Sequence, residues 1–166
     1  MKKLDIDLDE LVEEATWNDD LEVGPLRYFD RETGGLVFVE STLARALDDG
    51  EDLSEYEDDD EELETARLVF NQDLFLPLPE RWPDENFQIM EDFVRDKTRG
   101  TTKDALAQAL KLRKPFRQFK DTLCDYPEVR DQYFEYEAAC HRQWIVDWLH
   151  SSEIEPVDKK REKEPN

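Results

Sequence analysis

The side chains best suited to chemistry in this sequence are a run of lysines and arginines near its middle. Eight basic residues lie between positions 97 and 120, against a single acidic residue, Asp104. Because lysine and arginine hold phosphate and carboxylate groups through charge-assisted hydrogen bonds, this run predicts an anion-binding surface. Our candidate ligand-binding residues are the four cations at its carboxyl end, beside a dense aromatic stretch: Arg113, Lys114, Arg117 and Lys120.

Three interpretations of this basic run remain open. The cations can pair with acidic residues of the same chain or of an oligomer partner, which would give them a structural role. They can bind phosphate, another anion or nucleic acid, with neighbouring aromatic rings available for stacking. Alternatively, the acidic part of the chain imitates a nucleic-acid backbone and binds a basic partner protein.

The charge of the chain is unevenly distributed, with a net value of −22. Residues 1–66 contain 24 acidic and 5 basic side chains, whereas residues 67–166 contain 20 and 17. At about 48–62 the chain is mostly acidic and has no basic residue, so we expect a disordered or loosely helical acidic loop there. Its acidic residues lack EF-hand spacing, and no calcium site is predicted. In the first two interpretations this loop competes with external anions for the basic run.

Residue types that serve catalysis are present without forming a complete catalytic set. Cys140 and His141 are adjacent on one predicted helix, where neighbouring side chains diverge by about 100°. Cys124 with His141 on a neighbouring helix is the remaining cysteine–histidine combination. We therefore expect a non-enzymatic binding or regulatory protein with no catalytic residue, no metal and no cofactor. An unrecognised enzyme is the alternative.

Composition indicates a cytoplasmic protein. The two cysteines match neither a disulfide framework nor a CxxC pair, and the acidic amino terminus does not resemble a signal peptide. No apolar run approaches the roughly 18 residues of a membrane span, so we expect no membrane association. The length predicts one domain over residues 1–150, followed by a flexible charged tail over residues 151–166, and the oligomeric state stays open.

The first half of the chain predicts a helix and a small antiparallel sheet. The sequence LRYFD-RETGG-LVFVE is typical of a hairpin, because two β-prone runs flank a glycine-containing turn. A proline-bounded run nearby is the candidate third strand. The predicted elements are a helix over about 5–15, strands over 26–30 and 36–40, a short helix over 63–70 and a strand within 74–79.

The second half predicts a bundle of about four helices. Asp84 is the expected N-cap of the first, and Gly100 its expected end. Thr101 or Thr102 would cap the second. The third and fourth open at prolines 115 and 127. The whole chain is therefore assigned to the α+β class.

Aromatic residues at helical spacing predict the core of this bundle. On the third helix, Phe116, Phe119 and Leu123 recur at i, i+3 and i+7. We interpret the stripe on the long fourth helix as core packing, not as a cofactor site. It consists of Val129, Tyr133, Tyr136, Cys140, Trp144 and Trp148.

Several of these motifs occur together in one known family. They are F-R-x-F-K-D-x-L at 116–123, Tyr126-Pro127, Tyr133 with Tyr136, Trp148-Leu149, YFDRETG at 28–34, PLP at 77–79 and F-x-I-M-E-x-F-V at 87–94. In this combination the chain resembles the uncharacterised bacterial family UPF0158. One departure is Lys114-Pro115, where the family leads one to expect a glycine before the third helix. The resemblance implies a single α+β unit and no established activity.

Overall fold

The computed structural model describes residues 1–16, 25–50, 61–70 and 73–158. These residues form helices and two small sheets, which confirms the predicted α+β class. The chain forms two compact units, whereas its length had indicated one domain. The first unit contains Met1–Glu80 and Ile145–Asn166, and the second contains Arg81–Trp144. The acidic segment predicted at about 48–62 lies mainly outside the described residues, although its edges belong to helices.

Among its described residues, the first unit combines two small sheets with three short helices and the end of a long one. Its strands are β1 (Lys2–Ile6), β2 (Leu26–Asp30), β3 (Leu36–Val39), β4 (Phe75–Pro77) and β5 (Ile154–Asp158). Its helices are α1 (Leu8–Thr16), α2 (Ser41–Asp48), α3 (Glu61–Val69) and the carboxyl end of α7 (Pro127–Ser151).

The amino terminus corrects one prediction. Residues 2–6 form a strand, and the helix predicted from about Asp5 begins only at Leu8. Leu4 and Ile6 are buried while their neighbours are exposed, which is the alternation of a strand. Asp7 ends this pattern, because its Oδ1 accepts the backbone N–H of Glu10 in the first turn of α1 at 3.1 Å.

The partner of β1 corrects a second prediction. Residues 154–158 were expected to belong to a flexible tail, yet they form β5, which pairs with β1 in parallel from Lys2↔Ile154 to Ile6↔Asp158. The burial of Ile154 explains this order, since only 2% of its surface is exposed. Residues 159–166 of the predicted tail lie outside the described part of the chain.

The predicted hairpin and third strand are confirmed as an antiparallel sheet in the order β3-β2-β4. In the turn, Asp30 Oδ1 accepts the N–H groups of Glu32 and Thr33. Gly34 has a φ of 77°, and a β-carbon at this position would lie 2.7 Å from the Asp5 carbonyl oxygen. The turn therefore requires glycine for both its conformation and its packing.

The second unit is helical and has its own core. Its helices are α4 (Pro83–Lys97), α5 (Gly100–Leu110), α6 (Pro115–Leu123) and α7 up to Trp144. Tyr133 is fully buried between the rings of Phe93 and Phe119, with centroid distances of 5.2 and 4.9 Å. The core residues are Ile89, Met90, Phe93, Val94, Leu106, Phe119, Leu123 and Tyr133.

Two predicted helix boundaries shift. Trp82, not Asp84, is the N-cap of α4, because Pro83 occupies the first helical position and Glu85 accepts the Trp82 N–H. Gly100 begins α5 where it was expected to end α4, so the N-cap of α5 is Arg99 and not Thr101 or Thr102 as predicted. The buried hydroxyl of Thr98 instead donates to the Val94 carbonyl at the end of α4.

The predicted aromatic stripe on α7 is only partly buried. Tyr133 is enclosed, but Trp144 and Trp148 keep part of their surfaces exposed. In the second part of the helix the fully buried residues are Ile145 and Leu149. Tyr133 belongs to the second unit, whereas Ile145 and Leu149 belong to the first.

Candidate functional site

The four predicted ligand-binding residues lie at the start of α6 and along its outer surface. Arg113 and Lys114 precede the helix, and Arg117 and Lys120 lie within it. All four residues are exposed. We refer to Arg113, Lys114, Arg117 and Lys120 as the basic cluster. A short helix and the two residues before it therefore present four positive charges to solvent.

The backbone of Lys114 has a conformation that favours glycine. Its φ of 54° and ψ of 59° lie in the left-handed region, where a β-carbon raises the energy by about 1–2 kcal/mol. The ring of Pro115 disfavours helical geometry in the residue before it, so α6 starts anew at this point. The Lys114 carbonyl accepts the Gln118 N–H at 3.0 Å, while its side chain makes no capping bond.

The cations of the basic cluster have little internal compensation. Arg117 Nε lies 3.9 Å from Asp121 Oδ2, and both side chains are largely exposed, so this contact adds little stability. Within the described part of the chain, Arg113, Lys114 and Lys120 form no ion pair. Their charges are available to an external anion.

The first turn of α6 adds to the positive potential. Pro115 has no N–H, and the amides of Phe116 and Arg117 have no hydrogen-bond partner among the described residues. Such unpaired amides form the positive end of the helix dipole, which attracts anions. Both the backbone and the side chains of this turn therefore favour a negatively charged ligand.

Apolar side chains accompany these charges. Phe116 is 37% exposed and Leu112 is 46% exposed. The ring of Phe116 meets Phe87 edge to face, with centroids 6.3 Å apart and an interplanar angle of 73°. The sequence had predicted Phe116 on the buried face of the helix. It lies instead at the boundary between that face and solvent.

The comparisons with known proteins place this architecture in a family. A family model described as "Uncharacterised protein family (UPF0158)" matches residues 1–165. The chain belongs to this family. UPF0158 protein PA5073 of Pseudomonas aeruginosa is 34% identical over 76 residues, which cover 46% of this chain and 50% of that relative. The matched segment thus spans about half the length of the relative. No solved structure matches the chain.

The UPF0158 resemblance predicted from the motifs is confirmed. The backbone geometry bears on its one departure, the lysine at position 114. A glycine was expected just before the F-R-x-F-K-D helix, and this UPF0158 chain has Lys114 there. The left-handed backbone of Lys114 is the conformation that a glycine would adopt without strain. The turn geometry thus keeps the form that suits glycine, while this chain places a cation on it.

The other four basic residues of the run are distributed around helix ends. Lys97 lies in the last turn of α4, and Arg99 and Lys111 are the caps of α5. Lys103 Nζ donates to the Arg95 carbonyl at 3.3 Å. Cations at the carboxyl end of a helix stabilise its dipole, which gives Lys97 and Lys111 a structural role.

The cysteines and histidines are not arranged for nucleophilic catalysis. The thiol of Cys124 is directed at the Lys120 carbonyl, 3.5 Å away, and no described contact joins it to His141. Burial raises the pKa of Cys140, which disfavours the reactive thiolate. Burial lowers the pKa of His141, with Arg81 acting in the same direction.

A second group of perturbed side chains belongs to the core. Burial and the nearby Glu137 carboxylate raise the pKa of Tyr133. Its hydroxyl donates to Glu137 Oε2 at 2.8 Å, which satisfies the polar end of an otherwise enclosed ring. Burial raises the pKa of Tyr136 as well. These shifts accompany packing in the helical unit and do not define a reaction centre.

The described residues also form a groove, and no metal-binding group among them competes with the basic cluster. A groove of about 810 Å³ in the first unit is lined by carboxylates, hydroxyls and the exposed ring of Phe38. Within the described ranges, no cluster of three or more His, Cys, Asp or Glu residues could hold a metal ion. The helices described here are also too short or too polar to cross a bilayer.

Proposed function

We propose that this chain is a non-enzymatic binding or regulatory protein that holds a polyanionic ligand on the basic cluster. The observation that carries the proposal is the lack of ion-pair partners for Arg113, Lys114 and Lys120 among the described residues. A structural cation in the same unit looks different. Arg95 lies 3.0 Å from both Asp92 and Asp96, and their proximity raises its pKa.

The local electrostatics support an anion at this surface. Four side-chain charges and the open first turn of α6 are joined within one short segment of chain. The strained Lys114 backbone also places a charge where an uncharged glycine would be more stable. Strained residues that carry exposed functional groups are frequent at binding sites, which supports a ligand-binding role.

The regulatory part of the proposal rests on the acidic segment. Seven of the ten residues at 51–60 are acidic, and none is basic. We propose that this charge competes with external anions for the basic cluster and so raises the ligand concentration needed for binding. This competition is electrostatic, so it weakens as salt screens the charges, over a Debye length of about 8 Å at physiological salt.

A second candidate function follows from the excess of acidic residues in the first part of the chain. Residues 1–66 carry 24 acidic and 5 basic side chains. A basic partner protein could bind this part of the chain as it would bind a nucleic-acid backbone. In that case charge reversal in the basic cluster would leave partner binding unchanged or strengthen it.

The experiment that tests the proposal measures binding of the full chain to two polyanions. The probes are heparin and a fluorescently labelled single-stranded RNA of about 12 nucleotides, a typical site size for such proteins. The test variant reverses the basic cluster to glutamate. The matched control reverses four exposed cations of the first unit, Lys2, Lys3, Arg45 and Arg67, and gives the same net charge.

We expect the cluster variant to lose binding of both polyanions, while the control retains most of it. With four phosphates neutralised, the slope of log K against log salt should be about −3 for a single strand. Affinity would then fall about 50-fold between roughly 50 and 200 mM salt. Equal binding by the cluster variant and the control would overturn the proposal.

A further inference from the structure

We infer that the polyanion is single-stranded nucleic acid and that Phe116 stacks on one of its bases. This inference rests on the proposed function, because it assigns the ligand class of the basic cluster. It gives a role to an aromatic ring beside the cations, which recognition of phosphate alone does not need. The ring is 37% exposed although its neighbours Phe119 and Leu123 on α6 are fully buried.

The position of Phe116 on the helix places it next to two cations. Successive α-helical residues are rotated by about 100°, so Lys120 lies only about 40° around the axis from Phe116. Arg117 follows on the other side of Lys120, about 60° further. Around the exposed surface of α6, the ring of Phe116, the ammonium group of Lys120 and the guanidinium group of Arg117 therefore follow one another. A nucleotide presents a base and a phosphate over a comparable span.

The ring of Phe116 is held before any ligand arrives. Its edge-to-face contact with Phe87 orients it, and Phe87 itself packs against the core of the helical unit. Pro115 further restricts the backbone at the start of the helix. Little side-chain freedom remains to be lost on stacking, which favours binding.

The chemistry of the surface selects a single strand over other polyanions. Heparin and inorganic phosphate have no aromatic face, and the bases of a duplex are already stacked on each other. A duplex also carries one negative charge per about 1.7 Å, against about 3.4 Å for one strand. Repulsion by a protein of net charge −22 is therefore weaker for the single strand.

The test compares three labelled probes of equal length: a single-stranded RNA, the same backbone without bases, and a blunt duplex. Each is titrated with the wild-type chain, Phe116→Leu, Phe116→Trp and Phe134→Leu. Phe134 is the matched control, because it is 45% exposed and also contacts another aromatic ring, Tyr133. Thermal unfolding by circular dichroism verifies that each variant is folded.

We expect the wild type to prefer the base-containing strand over the abasic one by about 5- to 150-fold, the range of one stacked base. Phe116→Leu should remove this preference and leave abasic binding unchanged. Phe116→Trp should retain it, and Phe134→Leu should resemble the wild type.

The outcomes separate this inference from the proposed function. If wild type and Phe116→Leu bind both single strands equally, stacking is excluded while cation-dependent binding stands. A preference for the duplex would also overturn the inference. If the charge-reversed basic cluster binds every probe as tightly as its control does, the proposed function fails, and this inference with it.

Discussion

Lys114 combines an unfavourable backbone conformation with a charge that has no ion-pair partner in the described structure. Replacement by glycine would remove the backbone strain, which favours stability, but it would also remove the charge, which favours anion binding. Its left-handed φ of 54° is shared among non-glycine residues only with Glu153 in the described chain. Glycine at this position would relieve the contact between the β-carbon and the backbone. It would also remove one of the four cations of the basic cluster.

We predict that Lys114→Gly stabilises the fold and weakens polyanion binding. The free energy of unfolding should rise by up to about 1 kcal/mol, since relief of strain exceeds the entropy that glycine adds to the unfolded chain. For a chain of this size the midpoint temperature would rise by about 2–4 °C. Urea denaturation and RNA titration on the same protein measure both effects.

Lys114→Ala is the control for this prediction, because it removes the charge and keeps the β-carbon. It should weaken RNA binding as much as Lys114→Gly does, without the gain in stability. If both variants lost stability equally, the strain assigned to the left-handed backbone would be wrong.

Phe116 shows where helical periodicity stops being informative. Its spacing to Phe119 and Leu123 predicted one buried face, and the two later residues are indeed fully buried. Phe116 lies in the first turn of a nine-residue helix, where less of the neighbouring structure covers a side chain. Sequence spacing predicts which face of a helix a residue occupies, but it does not predict how much of the side chain the neighbouring elements bury.

At the scale of elements, local patterns were predicted well and long-range pairing was not. The β2–β3 hairpin and the helices of the second unit carry their own local signals, namely the turn residues of the hairpin and the prolines at the starts of three helices. The strand β1 does not, since its partner β5 lies at the other end of the chain. Leu4 and Ile6 gave only a short alternating pattern, which merged with the helical pattern of α1.

We predict that β5 is an integral part of the first unit. Replacing Ile154 by alanine should lower the free energy of unfolding by about 2–4 kcal/mol, because a side chain with 2% exposure leaves a cavity. Urea denaturation followed by circular dichroism measures the change.

Val157→Ala in the same strand is the control and should have a smaller effect. Its side chain is only partly buried and loses fewer carbon atoms. An Ile154→Ala variant as stable as wild type would show that residues 154–158 behave as the flexible tail predicted from their composition.

At the scale of the whole molecule, the basic cluster acts within a field of opposite sign. The chain carries 44 acidic and 22 basic side chains, so an approaching polyanion is repelled before it reaches the cluster. Lower salt strengthens both the repulsion and the local attraction. The sequence alone revealed this uneven charge. The exposure of the four cations, and the lack of an ion pair for Arg113, Lys114 and Lys120 among the described residues, required the structure.

We predict that neutralising the acidic segment increases RNA affinity at low salt. The variant replaces the seven acidic residues at 51–60 by asparagine and glutamine, which removes about a third of the net charge. Its affinity should exceed that of the wild type at about 50 mM salt and converge with it at several hundred millimolar, as screening shortens the Debye length. Anisotropy titrations over this range provide the measurement.

The matched control rearranges residues 51–60 in random order, which preserves both composition and charge. It should bind RNA as the wild type does, because the competition depends on charge and not on a specific contact. An increase in affinity equal to that of the neutralised variant would contradict the electrostatic explanation.

The parallel pairing of β1 with β5 also has a consequence for protein synthesis. Lys2 emerges from the ribosome first, and its partner Ile154 follows only after the intervening residues 3–153 have been synthesised. All residues of the β2–β3 hairpin and of the helical unit are synthesised before Ile154. Since contacts of such high sequence separation form slowly, we expect β1 to remain unpaired while residues up to 153 are synthesised and the β1–β5 sheet to form after the hairpin and the helical unit.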